Sequence, residues 1–289
     1  MRTVEAMKKA DFSRREFPMT ETDFKFIAKM ANENTGIQLG VHKQDMVYSR
    51  IVRRIRALKL RSFSEYCTYL KTHQDSELVS FINSITTNLT SFFREQHHFD
   101  FLLDRVIPEV KKKNASSRKL RIWSAGCSTG EEPYSLAMTL HKAFSKENWD
   151  VKVLATDLDT SVVAHGKAGI YTVDRVGDLA ATIIKNNFNK VVLEDNKGAS
   201  YEVSPHLKEF ITFNQLNLLK QWPMKGKFDV IFCRNVVIYF NKDTQKVLFD
   251  RYAEMLRPNG YLFIGHSETL HSVTDRFESL GKTIYRKIR

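Results

Sequence analysis

Apolar positions change their spacing near residue 90, and the change predicts two kinds of architecture in one chain. Before it the spacing is helical. Thr20 stands ahead of a run containing Phe24, Ile27 and Ala31, and Gly36 reads as its stop. Val47, Ile51, Ile55 and Leu58 share a stripe when residues are placed about 100° apart. Ser62 with Glu65 three positions on has the form of a capping box, opening a helix that turns Phe63, Tyr66 and Leu70 inward. Leu78, Phe81, Ile82 and Ile85 keep the same spacing. Residues 20–90 thus predict a small all-α domain, preceded by an N-terminal tail over residues 1–19.

Residues 91–119 read as a linker with a connecting helix over 96–112 that ends in Lys111-Lys112-Lys113. Beyond it, strands and helices alternate. Leu120–Ala125, Val151–Thr156, Phe210–Asn214, Phe228–Cys233 and Tyr261–Gly265 have strand character. Between them, Glu131–Phe144, Ser161–Lys167 and Asp243–Leu256 have helical character, the last stopped by Pro258-Asn259-Gly260. Alternation of this kind implies an α/β domain over 120–289 with a mostly parallel sheet. Phe277 and Thr283–Ile288 read as terminal strands, one of them antiparallel. Residues 169–212 break the pattern. A helical piece, Leu179–Asn186, precedes Val191–Glu194, a turn at Asp195–Gly198, and Ser200–Val203. That is a hairpin signal, so a small antiparallel β appendage is expected as an insertion.

Composition narrows the class. A chain of 289 residues with 42% apolar content can fill one large and one small domain. No run of about 18 apolar residues occurs, so no membrane insertion is expected. Met1 to Arg15 mixes charges without the apolar centre of a secretory signal. Cys67, Cys127 and Cys233 are odd in number and dispersed, which suits a reducing cytoplasm and neither a disulfide framework nor a zinc site. The net charge of +12 favours an acidic partner without choosing among nucleic acid, anionic lipid and protein. Lys43, Arg50, Arg53, Arg54 and Arg61 gather beside the stripe of the second helix, where only Asp45 offsets them. Two readings stay open: a solvated face, or a docking surface in which Arg50, Arg53 and Arg54 meet acidic side chains.

In a doubly wound sheet, ligands bind at the carboxyl ends of the strands. The first such end is Ala125-Gly126-Cys127-Ser128-Thr129-Gly130, which has two glycines but not a full dinucleotide fingerprint. The second offers Asp157 for ribose hydroxyls, with Asp159 as competitor and helix capping as the alternative duty. The third offers Asn217-Leu218, an amide and an aliphatic side chain suited to a purine. The fourth is Cys233-Arg234-Asn235-Val236-Val237-Ile238-Tyr239-Phe240. Two cofactors fit: a nicotinamide dinucleotide or S-adenosylmethionine. Glu131 and Glu132 in the first helical turn would repel a diphosphate and tolerate a sulfonium, which favours the methyl donor.

Four segments carry a resemblance. Thr87-Asn88-Leu89-Thr90-Ser91-Phe92-Phe93-Arg94-Glu95, Trp123-Ser124 through Gly130-Glu131-Glu132-Pro133-Tyr134-Ser135, Phe232 through Phe240, and Gly265-His266-Ser267-Glu268 resemble motifs of the chemotaxis receptor methyltransferases, the CheR family. The resemblance runs from about residue 20 to 288. It implies a Rossmann-like, S-adenosylmethionine-dependent enzyme that methylates glutamate side chains of chemoreceptors in the cytoplasm. It implies donor contacts from Asn88, Thr90, Arg94, Glu132, Asp157, Asn217, Leu218, Asn235 and Val236, with Arg94 and Tyr239 at the reacting end. It also implies that the helical domain meets the receptor's helical bundle, and in some members that the hairpin appendage holds a receptor's C-terminal tail peptide. A carboxylate nucleophile is ionised at neutral pH and needs neither base nor metal, so His97, His98 and His266 are expected to be structural. Two rivals remain. A nucleic-acid methyltransferase would suit the charge, but Asn235-Val-Val-Ile-Tyr239 lacks the prolines common in enzymes that methylate base amines. A non-catalytic donor-binding sensor would not need Arg94 and Tyr239.

Overall fold

The computed structural model describes residues 15–192 and 198–289. They form two compact units, Met1–Thr87 and Asn88–Arg289. Among the described residues the first has four α-helices: α1 (Glu21–Thr35), α2 (Gln44–Ala57), α3 (Phe63–Thr72) and α4 (Gln74–Ile85). Thr20 and Asp23 make a complete capping box on α1, which ends at Gly36 with φ 75°. The box expected at Ser62 is only half formed. Ser62 accepts from the Glu65 N–H, but the Glu65 carboxylate turns to the N–H of Arg61.

Val47, Ile51 and Ile55 are buried as their spacing requires, and Val52 joins them. Leu58 is only half-buried, because α2 stops at Ala57 and the stripe ends with it. On α4 the outcome is less expected. Glu77, 2% exposed, takes an inward position and Leu78 lies half-buried beside it.

The second unit is built on a seven-stranded sheet in the order β6-β2-β1-β7-β8-β10-β9. Its members are β1 (Lys119–Ala125), β2 (Asp150–Asp157), β6 (Ile211–Gln215), β7 (Phe228–Cys233), β8 (Leu256–Ile264), β9 (Phe277–Gly281) and β10 (Ile284–Lys287). The first five run parallel, and β10 is antiparallel to both β8 and β9. β10 therefore runs against the rest, while β9, antiparallel to β10, runs in the direction of the first five, so one of the two terminal strands is antiparallel, as sequence suggested. Alternate side chains of the central strands feed two cores. Trp123, Ile231, Cys233, Leu262 and Ile264 pack in one, while Ile122, Val230, Phe232 and Phe263 pack in the other. β8 begins earlier than the strand read from sequence, because Leu256 already pairs with Phe228. The register then slips, so that Val230 meets Tyr261 and the Pro258-Asn259-Gly260 turn is accommodated inside the strand.

The connecting helix is interrupted. An α-segment, α5 (His97–Phe101), passes through a π-turn over Leu102–Val106 into α6 (Ile107–Lys113). Pro108 at the start of α6 brings no N–H to the carbonyl of Asp104, which is the usual cause of such a break. Helices α7 (Glu131–Phe144) and α8 (Thr160–Ala168) follow β1 and β2, and α12 (Lys242–Met255) leads into β8. The insertion holds β3 (Ile170–Thr172), α9 (Val173–Val176), α10 (Ala181–Asn187), β4 (Phe188–Val192), β5 (Ala199–Val203) and α11 (Pro205–Lys208). Its strands form a separate antiparallel sheet in the order β3-β5-β4. Residues 193–197 of the expected hairpin turn lie outside the described residues.

Candidate active site at the strand ends

The turn after β1 is bent where sequence placed its glycines. Gly126 has φ 95°, and both its N–H and that of Cys127 bond the Thr156 carbonyl, at 2.8 and 2.9 Å. A Cβ on Gly126 would stand 2.3 Å from Val236 Cγ2, so only glycine fits beneath that loop. Gly130, with φ 102°, opens α7, and a Cβ there would approach the Tyr171 hydroxyl to 2.7 Å. Cys127 is fully buried. Burial and the charges of Asp157 and Glu132 push its thiol well up, so it is inert.

The adjacent acids Glu131 and Glu132 take different partners. Glu131 is buried, accepts from Thr129 Oγ1 at 2.6 Å, and is paired with Arg175 of α9. Glu132 accepts from Ser124 Oγ at 2.7 Å and lies 3.4 Å from Arg234 Nη1. The electrostatic case against a diphosphate is therefore weaker than sequence suggested, since each carboxylate has a cation beside it. Burial raises Glu132 above the usual carboxylate range, against the pull of Arg234.

At the end of β2, the two aspartates divide the duties that sequence left open. Asp159 caps α8 through the N–H groups of Ser161 and Val162 and also accepts from Asn88 Nδ2 at 2.9 Å. Asp157 accepts from the N–H of Ser128 at 2.8 Å and of Asp159 at 3.0 Å, which ties the glycine turn to β2. Burial raises Asp157 too, against those backbone bonds. Asn88 is held from its other side, because its carbonyl accepts from Ser128 Oγ at 2.9 Å. After β6, Asn217 Oδ1 accepts from the Leu219 N–H at 2.9 Å, and Leu218 packs in the same apolar cluster as Val236.

The loop after β7 is organised by a residue to which sequence reasoning gave no role. Glu268, 5% exposed, accepts from the N–H groups of Asn235, Val237, Ile238 and Gly265 at 3.0, 2.9, 3.3 and 2.6 Å. Four convergent donors fix Asn235 (φ 59°) and the 3₁₀ turn Val237–Tyr239. Tyr239 itself is half-buried, as is Thr90. Glu268 belongs to the last quoted motif and Arg234 to the third. The signal was present, but a partner cannot be read from a string.

Arg94 sits between two residues in the left-handed region, Phe93 (φ 51°) and Glu95 (φ 57°), and donates to the Leu89 carbonyl at 3.0 Å. Glu95 accepts from His266 Nδ1 at 2.9 Å. Its other oxygen faces His98 Nδ1 at 3.5 Å and Arg234 Nη2 at 3.7 Å. Burial pushes Glu95 up, but the His266 bond and the Arg234 charge outweigh it and hold the carboxyl low. Glu95, His97 and His98 place ligand-type atoms within 4.8 Å of one another. The guanidinium beside Glu95 already fills the place of a cation, so the trio is a poor metal centre.

The strand ends thus gather a glycine turn, the half-buried carboxylates of Glu132 and Asp157, a polar loop and an apolar wall. Residues 88–286 match the family described as CheR methyltransferase, SAM binding domain, and residues 22–86 match its all-alpha domain. This chain belongs to the CheR methyltransferase family. It is 42% identical to chemotaxis protein methyltransferase 2 of Pseudomonas aeruginosa over 95% of this chain and 96% of that one. To the chemotaxis protein methyltransferase of Escherichia coli it is 41% identical over 92% of this chain and 91% of that one. A probable chemotaxis protein methyltransferase of Rhizobium etli is 40% identical over 89% of this chain and 96% of its own. The domain that holds the site is accordingly an S-adenosylmethionine-binding methyltransferase domain.

In the N-terminal unit, the three candidate docking arginines of α2 differ. Arg50 donates to the carbonyls of Ile85 and Thr86 at 2.6 and 2.8 Å, closing the C-terminus of α4. Arg54 grips Glu77 through two bonds, at 2.9 and 2.6 Å. Arg53 is exposed and has no side-chain partner among the described residues. The basic face read from sequence is therefore partly internal scaffolding.

Proposed function

We propose that this protein transfers a methyl group from S-adenosylmethionine to glutamate side chains of chemoreceptors, giving methyl esters and S-adenosylhomocysteine, for chemotactic adaptation. The observation that carries the reading is Arg94, half-buried beside Glu95 in a turn whose carbonyl is held by Arg234, the guanidinium that also lies 3.4 Å from Glu132. S-adenosylmethionine supplies an electrophilic methyl group on a sulfonium. Asp157 and Glu132 are acceptors for hydroxyl or ammonium donors, and burial makes both favour such partners. Leu218 and Val236 give an apolar wall for a base, and Asn88, Thr90, Asn217 and Asn235 supply polar contacts around it. Arg94 orients the incoming carboxylate with its planar fork, and Tyr239 lines the same end. Holding that carboxylate in line supplies roughly 7–11 kcal/mol without any proton transfer. No step calls for a metal.

The N-terminal helical unit is read as the part that meets the receptor's helical bundle. Arg53 is the available contact, whereas Arg50 and Arg54 act first in holding α2 and α4. A receptor tail peptide would suit the edge strand β4 of the small sheet by strand addition. The setting is the cytoplasm at membrane receptor arrays. Among the described residues no helix is long and apolar enough to cross a membrane. The test mixes purified protein, labelled donor and receptor-containing membranes, with nucleic acid as the control acceptor. Base-labile methyl esters on receptors, falling by about 10²–10³-fold in Arg94→Ala, support the reading. Label in nucleic acid, or donor binding without transfer to either acceptor, would overturn it.

A further inference from the structure

Arg94 carries no helix or strand to direct its side chain. It lies in a turn whose two flanking residues have positive φ, a backbone that tertiary contacts must hold in place for residues other than glycine. Each of the three residues is pinned by a different element. The Phe93 N–H donates to Ser135 Oγ of α7 at 2.9 Å. The Arg94 carbonyl accepts from Arg234 Nη2, at the end of β7. The Glu95 carboxylate accepts from the N–H and ring of His266, after β8.

The middle pin differs from the others. The Arg234 side chain is 2% exposed, and its second arm lies 3.4 Å from Glu132. One rigid fork therefore touches both the backbone of Arg94 and a carboxylate on the wall of the donor site. Among the described residues its Nε has no hydrogen-bond partner, and neither has Glu95 Oε2 or His98 Nδ1 beside it. A fully buried cation whose two carboxylate contacts are long and whose polar neighbours are orphaned is poorly arranged for stability alone.

We propose that Arg234 is a positioning residue for methyl transfer, holding the Arg94 backbone in register with Glu132 so that the carboxylate-orienting side chain faces the bound donor. The inference rests on the reading of Glu132 as a donor contact and Arg94 as the group that meets substrate. Because Ser124 also holds Glu132, donor binding survives loss of the fork while alignment does not.

Arg234→Lys keeps the charge and removes the two-armed geometry. Its donor affinity, by calorimetry, should stay within about threefold, and its receptor KM should be unchanged. Its kcat at saturating donor and receptor should fall by about 30-fold or more, as expected when a planar donor is replaced by a point charge. A kcat that is unaltered, or that falls only in proportion to donor affinity and folded fraction, would overturn the proposal. If Arg234→Lys does not fold, Glu95→Gln removes the carboxylate charge that stands 3.7 Å from Arg234 Nη2, loosening the fork's hold on this turn while keeping the fork itself. There kcat should fall by about tenfold with donor affinity intact, and an unchanged kcat would overturn the proposal. The wild-type control separates the two ideas. Wild-type enzyme that binds donor and methylates no receptor contradicts the functional reading, whereas wild-type transfer with an indifferent Arg234 contradicts only this one.

Discussion

Two arginines, Arg54 half-buried and Arg234 buried, show the difference between a contact that holds a fold and one proposed to serve a site. In the helical unit, Arg54 meets Glu77 edge to edge, and the Tyr66 hydroxyl completes the carboxylate at 3.0 Å. The hydrogen bond to Glu77 raises the Arg54 guanidinium further, and burial with the nearby acid pushes Tyr66 up. In the strand-end site, Arg234 stands 3.4 and 3.7 Å from two carboxylates and leaves polar atoms unmatched around it. The first arrangement is closed and saturated. The second is spread over several elements, with one arm of the guanidinium on the Arg94 carbonyl and the other beside Glu132.

The comparison is broken most forcefully at Glu77. Glu77→Ala leaves a half-buried guanidinium and a buried phenol without their acceptor, a loss of about 3–5 kcal/mol in stability. Denaturant unfolding should show that loss, while the folded protein binds donor as before. Reduced donor affinity in the folded mutant would mean the two regions are not separable.

A pH titration sharpens the contrast, because the site contains a histidine that resists its proton. Burial first, and then the Arg234 charge, push His98 down to about 4. Above pH 6.5 the ring is neutral whether folded or not. Between 6.5 and about 4 the unfolded chain takes a proton that the folded one refuses, so stability falls with pH, by at most about 3 kcal/mol. Thermal unfolding at pH 7 and pH 5 should differ accordingly. His98→Gln, which can still reach the Lys282 carbonyl, should flatten the slope in that window. An unaltered slope would assign it to other groups.

Asp157→Ala should weaken donor binding by roughly 1.5–3 kcal/mol, measured by calorimetry. It should also cost some stability, because the N–H groups of Ser128 and Asp159 lose their acceptor. The smallest effect belongs to the surface. Arg53→Glu should slow receptor methylation by several-fold in low salt, about 1 kcal/mol, with the difference shrinking as salt rises. Equal rates at all salt concentrations would leave Arg53 as a solvated side chain. Arg54 is unsuitable for that test, since its removal strips Glu77 of its partner.

What could be read from sequence follows from what periodicity encodes. The stripe Val47–Ile51–Ile55 and the alternation Ile122/Trp123 and Val230/Ile231 are local patterns, and the folded chain places them as that pattern requires. The glycine turn was legible because a bend and a close approach restrict the residue type at single positions. The partners of the charged residues were not. Arg234 meets Glu132 and Glu95 across about a hundred residues or more of chain, and Glu268 reaches back to the loop at Asn235. Such pairings come from topology, in which β7 lies beside β1 and β8 beside β7. For the same reason Glu77 was missed. An acid on a helix face reads as solvent-facing until another helix brings it an arginine.

The central claim is that this site works by aligning a carboxylate that is already ionised, not by removing a proton. The most direct measurement is the single-turnover rate of receptor methylation from pH 6.5 to 9, with donor saturating. The account predicts a rate level to within about twofold, since a glutamate with a pKa near 4.3 is fully ionised throughout. A rate that climbs about tenfold per pH unit toward a plateau, and loses that limb in His97→Ala or His266→Ala, would contradict it by showing a general base at work.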